Sequence, residues 1–168
     1  MVVNETNHIW GEDKVCTECH YGCVHTYGTP VFAWQADCTS ASVTLTCGNC
    51  KAEKTVACKL DCQWNAETDT LTFTAAAEEG TYTDTQTIKL TVSNGKLTIV
   101  NSAAQADQKV NMLLMVAGYT SGGQMTGCQV ITDVSGVTEK GLIVTGNTIK
   151  VFFLKPGTYA PLFMCAEL

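Results

Sequence analysis

Arginine is missing from this chain. All ten basic residues are lysines, set against sixteen acidic ones, and the formal net charge is −6. Nucleic-acid recognition leans on basic patches and on the planar fork of arginine, so the composition speaks against a nucleic-acid partner. Proline is scarce, with three in 168 residues. No apolar run approaches the ~18 residues of a transmembrane helix, so no membrane span is expected. The opening "MVVNETNHIWG" lacks a basic segment followed by an apolar one and does not read as a signal peptide, so an exported protein is expected to be represented here by a mature or trimmed fragment. No serine sits in a G-x-S-x-G setting. All three histidines fall within residues 8–25, which leaves none for a triad elsewhere. The acidic residues Glu78, Glu79, Asp84 and Asp107 are scattered and read as solvated surface. A catalytic site is therefore not expected.

What the chain does contain is cysteine, threonine and a sizeable apolar fraction. Hydrophobic residues make up 45%, enough to build a packed core. Threonine is frequent and favours half-buried strands, so the composition points to a mainly β protein. Ten cysteines are too many for an ordinary cytosolic enzyme. Cysteine-dense small modules are usually exported and cross-linked, or bind metal.

Cysteine density divides the chain into residues 1–27, 28–93 and 94–168. In the middle part, "ASVTLTC" (41–47) and "KTVACKL" (54–60) alternate apolar and polar residues around "GNCKAE", which predicts a β-hairpin. Val43, Leu45 and Cys47 share one face of it, and Val56, Cys58 and Leu60 one face of its partner. "DTLTFTA" (69–75) and "GTYTDTQTIKLTV" (80–92) predict two more strands. The last part offers "GKLTIV" (95–100), "KVNMLLMVAGY" (109–119), "GCQVIT" (127–132), "GLIVTG" (141–146) and "TIKVFFL" (148–154), punctuated by turn signals. Short strands at this spacing predict an antiparallel β-sandwich, with no amphipathic helix of ten residues or more.

Residues 15–25, "VCTECHYGCVH", hold three cysteines and two histidines. A structural zinc ion takes four tetrahedral Cys or His ligands, often with a CxxC pair forming a knuckle. Cys16 and Cys19 supply such a pair, and His8, Cys23 and His25 are candidates for the other two places. A segment this short has no core of its own, so a metal would supply its folding energy. Cys16, Cys19 and His20 also fit C-x-x-C-H, the attachment motif of haem c, with His8 or His25 as a sixth ligand; few apolar residues lie nearby to form a haem pocket. Disulfides are the third reading, although a bridge within a CxxC is strained. A second cluster comprises Cys38, Cys47, Cys50, Cys58 and Cys62. It fits either a four-cysteine zinc site or a set in which Cys58 is core and Cys38 pairs with Cys62. If residues 47 and 54 pair, residue 62 falls opposite residue 39, beside Cys38. Thioredoxin-like redox activity is not expected, because such a CxxC opens a helix. Cys128 and Cys165 could bridge within the last part or be buried thiols.

Two longer stretches resemble known modules. "HIWGEDKVCTECHYGCVHTYG" resembles a short Cys/His repeat of cell-surface proteins from gut-dwelling Firmicutes, roughly H-x-W, a gap, then C-x-x-C-G-Y-x-C-x-H. His8, Trp10, Cys16, Cys19, Tyr21, Cys23 and His25 fall on it. His20 stands where the repeat usually has Gly, and Thr6 where it often has a further Cys. "FAWQADCTSASVTLTCGNCKAEKTVACKL" with its "YTDTQTIKL" is similar to a module of the same proteins, and "MLLMVAGYTSGGQMTGCQVI…IKVFFLKPGTYAPL" to their C-terminal Ig-like domain. The resemblance implies an extracellular or cell-surface location. It also implies a structural or adhesive role toward a cell-surface, host or glycan ligand that the sequence does not specify. Trp34, Trp64, Tyr82 and Phe153 could line a glycan-binding face, or equally pack on the strands.

Overall fold

The computed structural model describes residues 9–17 and 22–168. It is mainly β and antiparallel. Among the described residues twelve strands follow one another: β1 Val31–Trp34, β2 Ala41–Thr46, β3 Glu53–Ala57, β4 Lys59–Asn65, β5 Thr70–Ala77, β6 Tyr82–Ser93, β7 Lys96–Asn101, β8 Leu113–Tyr119, β9 Met125–Ile131, β10 Val137–Gly141, β11 Thr148–Leu154 and β12 Ala166–Glu167. Among the described residues the only helical piece is a 3-10 turn at Glu78–Gly80.

The strands form three sheets, ordered β1-β2-β3, β10-β7-β6-β5-β4 and β12-β11-β8-β9. The two larger sheets make a sandwich because each strand alternates and turns its apolar residues to the same interior. Leu71 and Phe73 of β5, Ile88 and Leu90 of β6, and Leu97 and Ile99 of β7 come from one sheet. Leu114 and Val116 of β8, and Val151 and Phe153 of β11, meet them from the other. Phe163 closes one end edge-on against Phe73 at 4.7 Å and Phe153 at 5.8 Å between ring centroids. The small sheet has its own cluster, Val43, Leu45 and Ala77, with Tyr27, Phe32, Val56 and Tyr82 packed around it. Trp34 at the end of β1 donates from Nε1 to Asp84 Oδ2 on β6 at 2.9 Å, linking the small sheet to the sandwich.

The structure departs from the sequence pattern at four places. The division at residue 94 falls in the turn between β6 and β7, which pair along their length in one sheet, so β4–β6 belong with residues 94–168. The run 54–60 is not one strand. It breaks at Cys58, whose N–H donates to Ala41 O at 2.9 Å, and the chain then leaves for the larger sheet as β4. The physical reason is that this run serves two cores. Val56 and Cys58 pack on the small cluster, while Cys62 and Trp64 pack on the sandwich. The hairpin register sets Leu45 opposite Lys54, not residue 47. A shift of two keeps the same side chains inward and sets Val43 opposite Val56 in place of Cys58. Finally, 142–147 is not a strand but the crossing from β10 to β11. Gln129 stands in for a ladder there, donating from its amide to Gly141 O at 2.9 Å and accepting from Ile143 N at 3.0 Å. The crossing lies so close to β8 that a Cβ on Gly146 would sit 2.6 Å from the Tyr119 backbone.

Candidate metal centre

The tip of the β2–β3 hairpin is the sequence Cys47-Gly48-Asn49-Cys50-Lys51-Ala52. Cys47 ends the inward-facing series Val43, Leu45, Cys47 and is fully buried. The tip folds tightly: Lys51 N–H donates to Cys47 O at 3.1 Å, Cys47 N–H to Ala52 O at 2.8 Å, and the Lys51 ammonium to Gly48 O at 2.7 Å. This curl brings the Cys50 thiol back toward Cys47.

A second segment lies across the tip. Gly28 N–H donates to Thr46 O at 3.1 Å and Gly48 N–H to Thr26 O at 2.9 Å, so residues 26–28 run antiparallel to 46–48 with Tyr27 opposite Cys47. Just upstream, Cys23 N–H donates to Lys14 O at 3.3 Å, attaching it to the small N-terminal hairpin in which Trp10 faces Cys16. Cys23 and His25 are two positions apart, with Val24 between them, so their side chains can both reach the tip. The ring of Tyr27 stacks on His25 at 5.8 Å and helps hold it.

The result is a cluster of Cys23, His25, Cys47 and Cys50, whose ligand atoms all lie within 4.8 Å of one another and could hold a metal ion. The Cys23 and Cys47 sulfurs are 3.7 Å apart, and Cys50 Sγ lies 3.4 Å from His25 Nδ1. Cys47 and Cys50 are buried, Cys23 is half-buried and His25 faces solvent. Burial works against ionising Cys47. Hydrogen bonds from the Cys50 backbone, the His25 ring and the Asn49 and Thr26 backbones outweigh it and bring Cys47 down to about 6. Cys23 goes the other way. Burial, and then the neighbouring Cys50 and Cys47 sulfurs, push it up to about 12. Without metal the cluster thus concentrates its first negative charge on Cys47.

The site draws half its donors from each of the two cysteine groups distinguished in the sequence. Cys23 and His25 come from the opening stretch, Cys47 and Cys50 from the hairpin. His8, Cys19 and His20, the other candidate ligands for zinc or haem in the opening stretch besides Cys16, lie outside the described residues. Cys16 is buried, with 2% exposure, on the N-terminal hairpin and is not among the four clustered donors. Cys58 packs on the small core, and Cys38 and Cys62 belong to the sandwich. Cys128 and Cys165 are not a bridging pair. They belong to opposite edges of the sheet β12-β11-β8-β9, and two strands at roughly 4.8 Å spacing intervene. Both thiols are exposed, not buried.

Of the aromatics raised as a glycan face, one is wholly in the core and three pack on the cores while partly exposed. Phe153 is fully buried, and Trp34 and Trp64 pack against the sandwich core, with Trp64 Nε1 enclosed. A signal for the observed site was present in the spacing. Cys23-x-His25 and Cys47-x-x-Cys50 each offer two donors on a short tether, which is how paired knuckles build a tetrahedral site.

Compared with protein-family models, curated proteins and solved structures, the chain matches none.

Proposed function

We propose that this chain is a non-catalytic extracellular or cell-surface module, a β-sandwich whose N-terminal stretch is fastened by a structural zinc ion. The geometry of the four donors carries the reading. Zinc–sulfur bonds of about 2.3 Å and zinc–nitrogen bonds of about 2.0 Å at tetrahedral angles require sulfur–sulfur edges of about 3.8 Å and sulfur–nitrogen edges of about 3.5 Å. The cluster offers 3.7 Å and 3.4 Å. Three thiols and one imidazole suit zinc better than calcium or magnesium, which take oxygen. Four protein donors fill the coordination sphere and leave no place for a reacting water, which favours a structural over a catalytic role. Surface location and an adhesive or spacing role rest on the resemblance of the opening stretch and the sandwich to modules of bacterial surface proteins.

The test is the intact mass under native and then denaturing conditions. One zinc ion per chain, lost on denaturation and absent from a Cys47→Ser, Cys50→Ser double variant, is the expected result. An added mass that survives denaturation would mean covalent haem, and no added mass would remove the zinc reading. Surface location is checked separately by protease shaving of intact cells, which should release peptides of this chain.

A further inference from the structure

With Cys47 and Cys50 committed to the metal cluster, the remaining cysteines of the middle part separate as well. Cys38 and Cys62 come together at the edge of the sandwich. Both line one cavity of about 380 Å³, with Leu60, Phe73, Leu162 and Phe163 as its apolar walls. Cys62 is an inward-facing residue of the edge strand β4, directly opposite Phe73 on β5. Cys38 is fully buried and belongs to the same core, against which Cys62 packs. Burial first, then Asp37, then Cys62 disfavours the Cys38 thiolate.

The backbone at Cys38 adds a second observation. Its φ is 55°, in the left-handed region that glycine or asparagine occupies most readily. Its N–H donates to Gln35 O at 2.9 Å, and Asn101 holds the neighbouring Ala36 O at 2.8 Å, so the turn is fixed in this conformation. A residue with a Cβ is costly there. In this conformation Cys38 is fully buried and lines the cavity together with Cys62.

We propose that Cys38 and Cys62 form a disulfide that locks the turn before β2 to the edge strand β4. The bridge would enclose the whole β2–β3 hairpin in one covalent loop, with the metal cluster at its far tip. Formation is ordinary thiol–disulfide exchange with a small disulfide oxidant such as oxidised glutathione. One protein thiolate attacks the glutathione disulfide and expels a glutathione thiolate. The second protein thiolate then attacks the mixed disulfide and expels the other. Two protons and two electrons leave the protein, and two molecules of glutathione thiol are produced. The proposal does not depend on the zinc reading.

The experiment uses the full chain, incubated folded with excess zinc and with oxidised glutathione, then alkylated in denaturant, digested and mapped by mass spectrometry. A peptide containing Cys38 linked to one containing Cys62, two hydrogens lighter than their sum, is the expected result. Reduction should then lower the melting temperature of the oxidised protein by roughly 5–10 °C, from the loop entropy released. A Cys38→Ser, Cys62→Ser variant should show no reductant-dependent shift. If that variant does not fold, the peptide map of the unsubstituted chain decides alone. Recovery of both cysteines alkylated, or linked to other residues, overturns the proposal. A map showing this bridge but no zinc in the native mass would leave it standing while removing the metal reading.

Discussion

Cys23 Sγ and Cys47 Sγ stand 3.7 Å apart although 24 residues separate them in the chain. The separation is well beyond an S–S bond of about 2.05 Å and matches the edge of a tetrahedron built around one ion. Cobalt substitution probes this relationship directly. Cobalt-loaded protein should show the intense d–d bands of tetrahedral cobalt together with thiolate-to-cobalt charge transfer. Cys23→Ser should weaken the charge-transfer band and lower metal affinity by about two orders of magnitude or more. An octahedral spectrum would exclude the arrangement.

Metal affinity should rise with pH, and the sign follows from the thiols. Binding requires thiolates, and Cys23 remains protonated up to about 12, so at neutral pH the metal must displace its proton. Each displaced proton gives about a tenfold gain in affinity per pH unit. Below about 6 the Cys47 thiolate is protonated too, and the dependence should steepen. Competition titrations with a chelator between pH 5 and 8 measure the slope. A flat profile would mean that Cys23 is not a ligand.

Lys51 occupies the left-handed region with φ of 59° at the end of the hairpin tip. Glycine is at ease there, so Lys51→Gly should stabilise the protein by about 0.5–1 kcal/mol, less whatever the exposed ammonium contact to Gly48 O supplies. A melting temperature raised by roughly 1–4 °C is the expected result. A lower melting temperature would show that the lysine contact outweighs the backbone gain.

Alkali should destabilise the reduced, metal-loaded protein. The Cys38 thiol is raised from 9.0 to about 12 by burial, by Asp37 and by Cys62, in that order. Between these values the folded chain keeps a proton that the unfolded chain has lost, so stability falls as pH rises through the window, by up to about 1.4 kcal/mol per pH unit. Urea denaturation at pH 8 and pH 10 shows the difference; Cys62, raised to about 11, contributes in the same direction, so Cys38→Ala should remove about half of it.

Phe153 is fully buried in the sandwich and touches Phe163 edge-on. Phe153→Ala should cost about 3–5 kcal/mol, seen as a lowered denaturation midpoint with an unchanged slope. A near-neutral effect would contradict its place in the core.

Much of the sandwich was legible because its strands alternate cleanly. β11 matches "TIKVFFL", and β5, β6 and β7 lie within a residue or two of the predicted runs. Val43, Leu45 and Cys47 share the inward face that the pattern required. Strand membership in a sheet was not legible. Whether β4 continues the small hairpin or joins the sandwich depends on which core takes its inward side chains, and Leu60, Cys62 and Trp64 suit either. The crossing at 142–147 carries the apolar residues of a strand, but its hydrogen bonds are scattered, from Leu142 N–H to Gly95 O, from Ile143 N–H to the Gln129 side chain and from Asn147 N–H to Tyr119 O, which no periodicity reveals. The candidate site was half visible. Donor pairs with short spacing show in the sequence, whereas the pairing of Cys23 and His25 with Cys47 and Cys50 depends on residues 26–28 docking on the hairpin tip.

The two halves of the cluster differ in how they can form in time. Cys47 and Cys50 are delivered by the closure of one short hairpin, an event of microseconds. Cys23 and His25 must be captured across a longer loop, whose closure costs chain entropy and yields little apolar burial at this solvent-facing side. An ion arriving early would meet two preassembled thiols and then recruit the other donors. In such a sequence of events the metal supply, more than the sandwich, sets when the N-terminal stretch stops searching and docks.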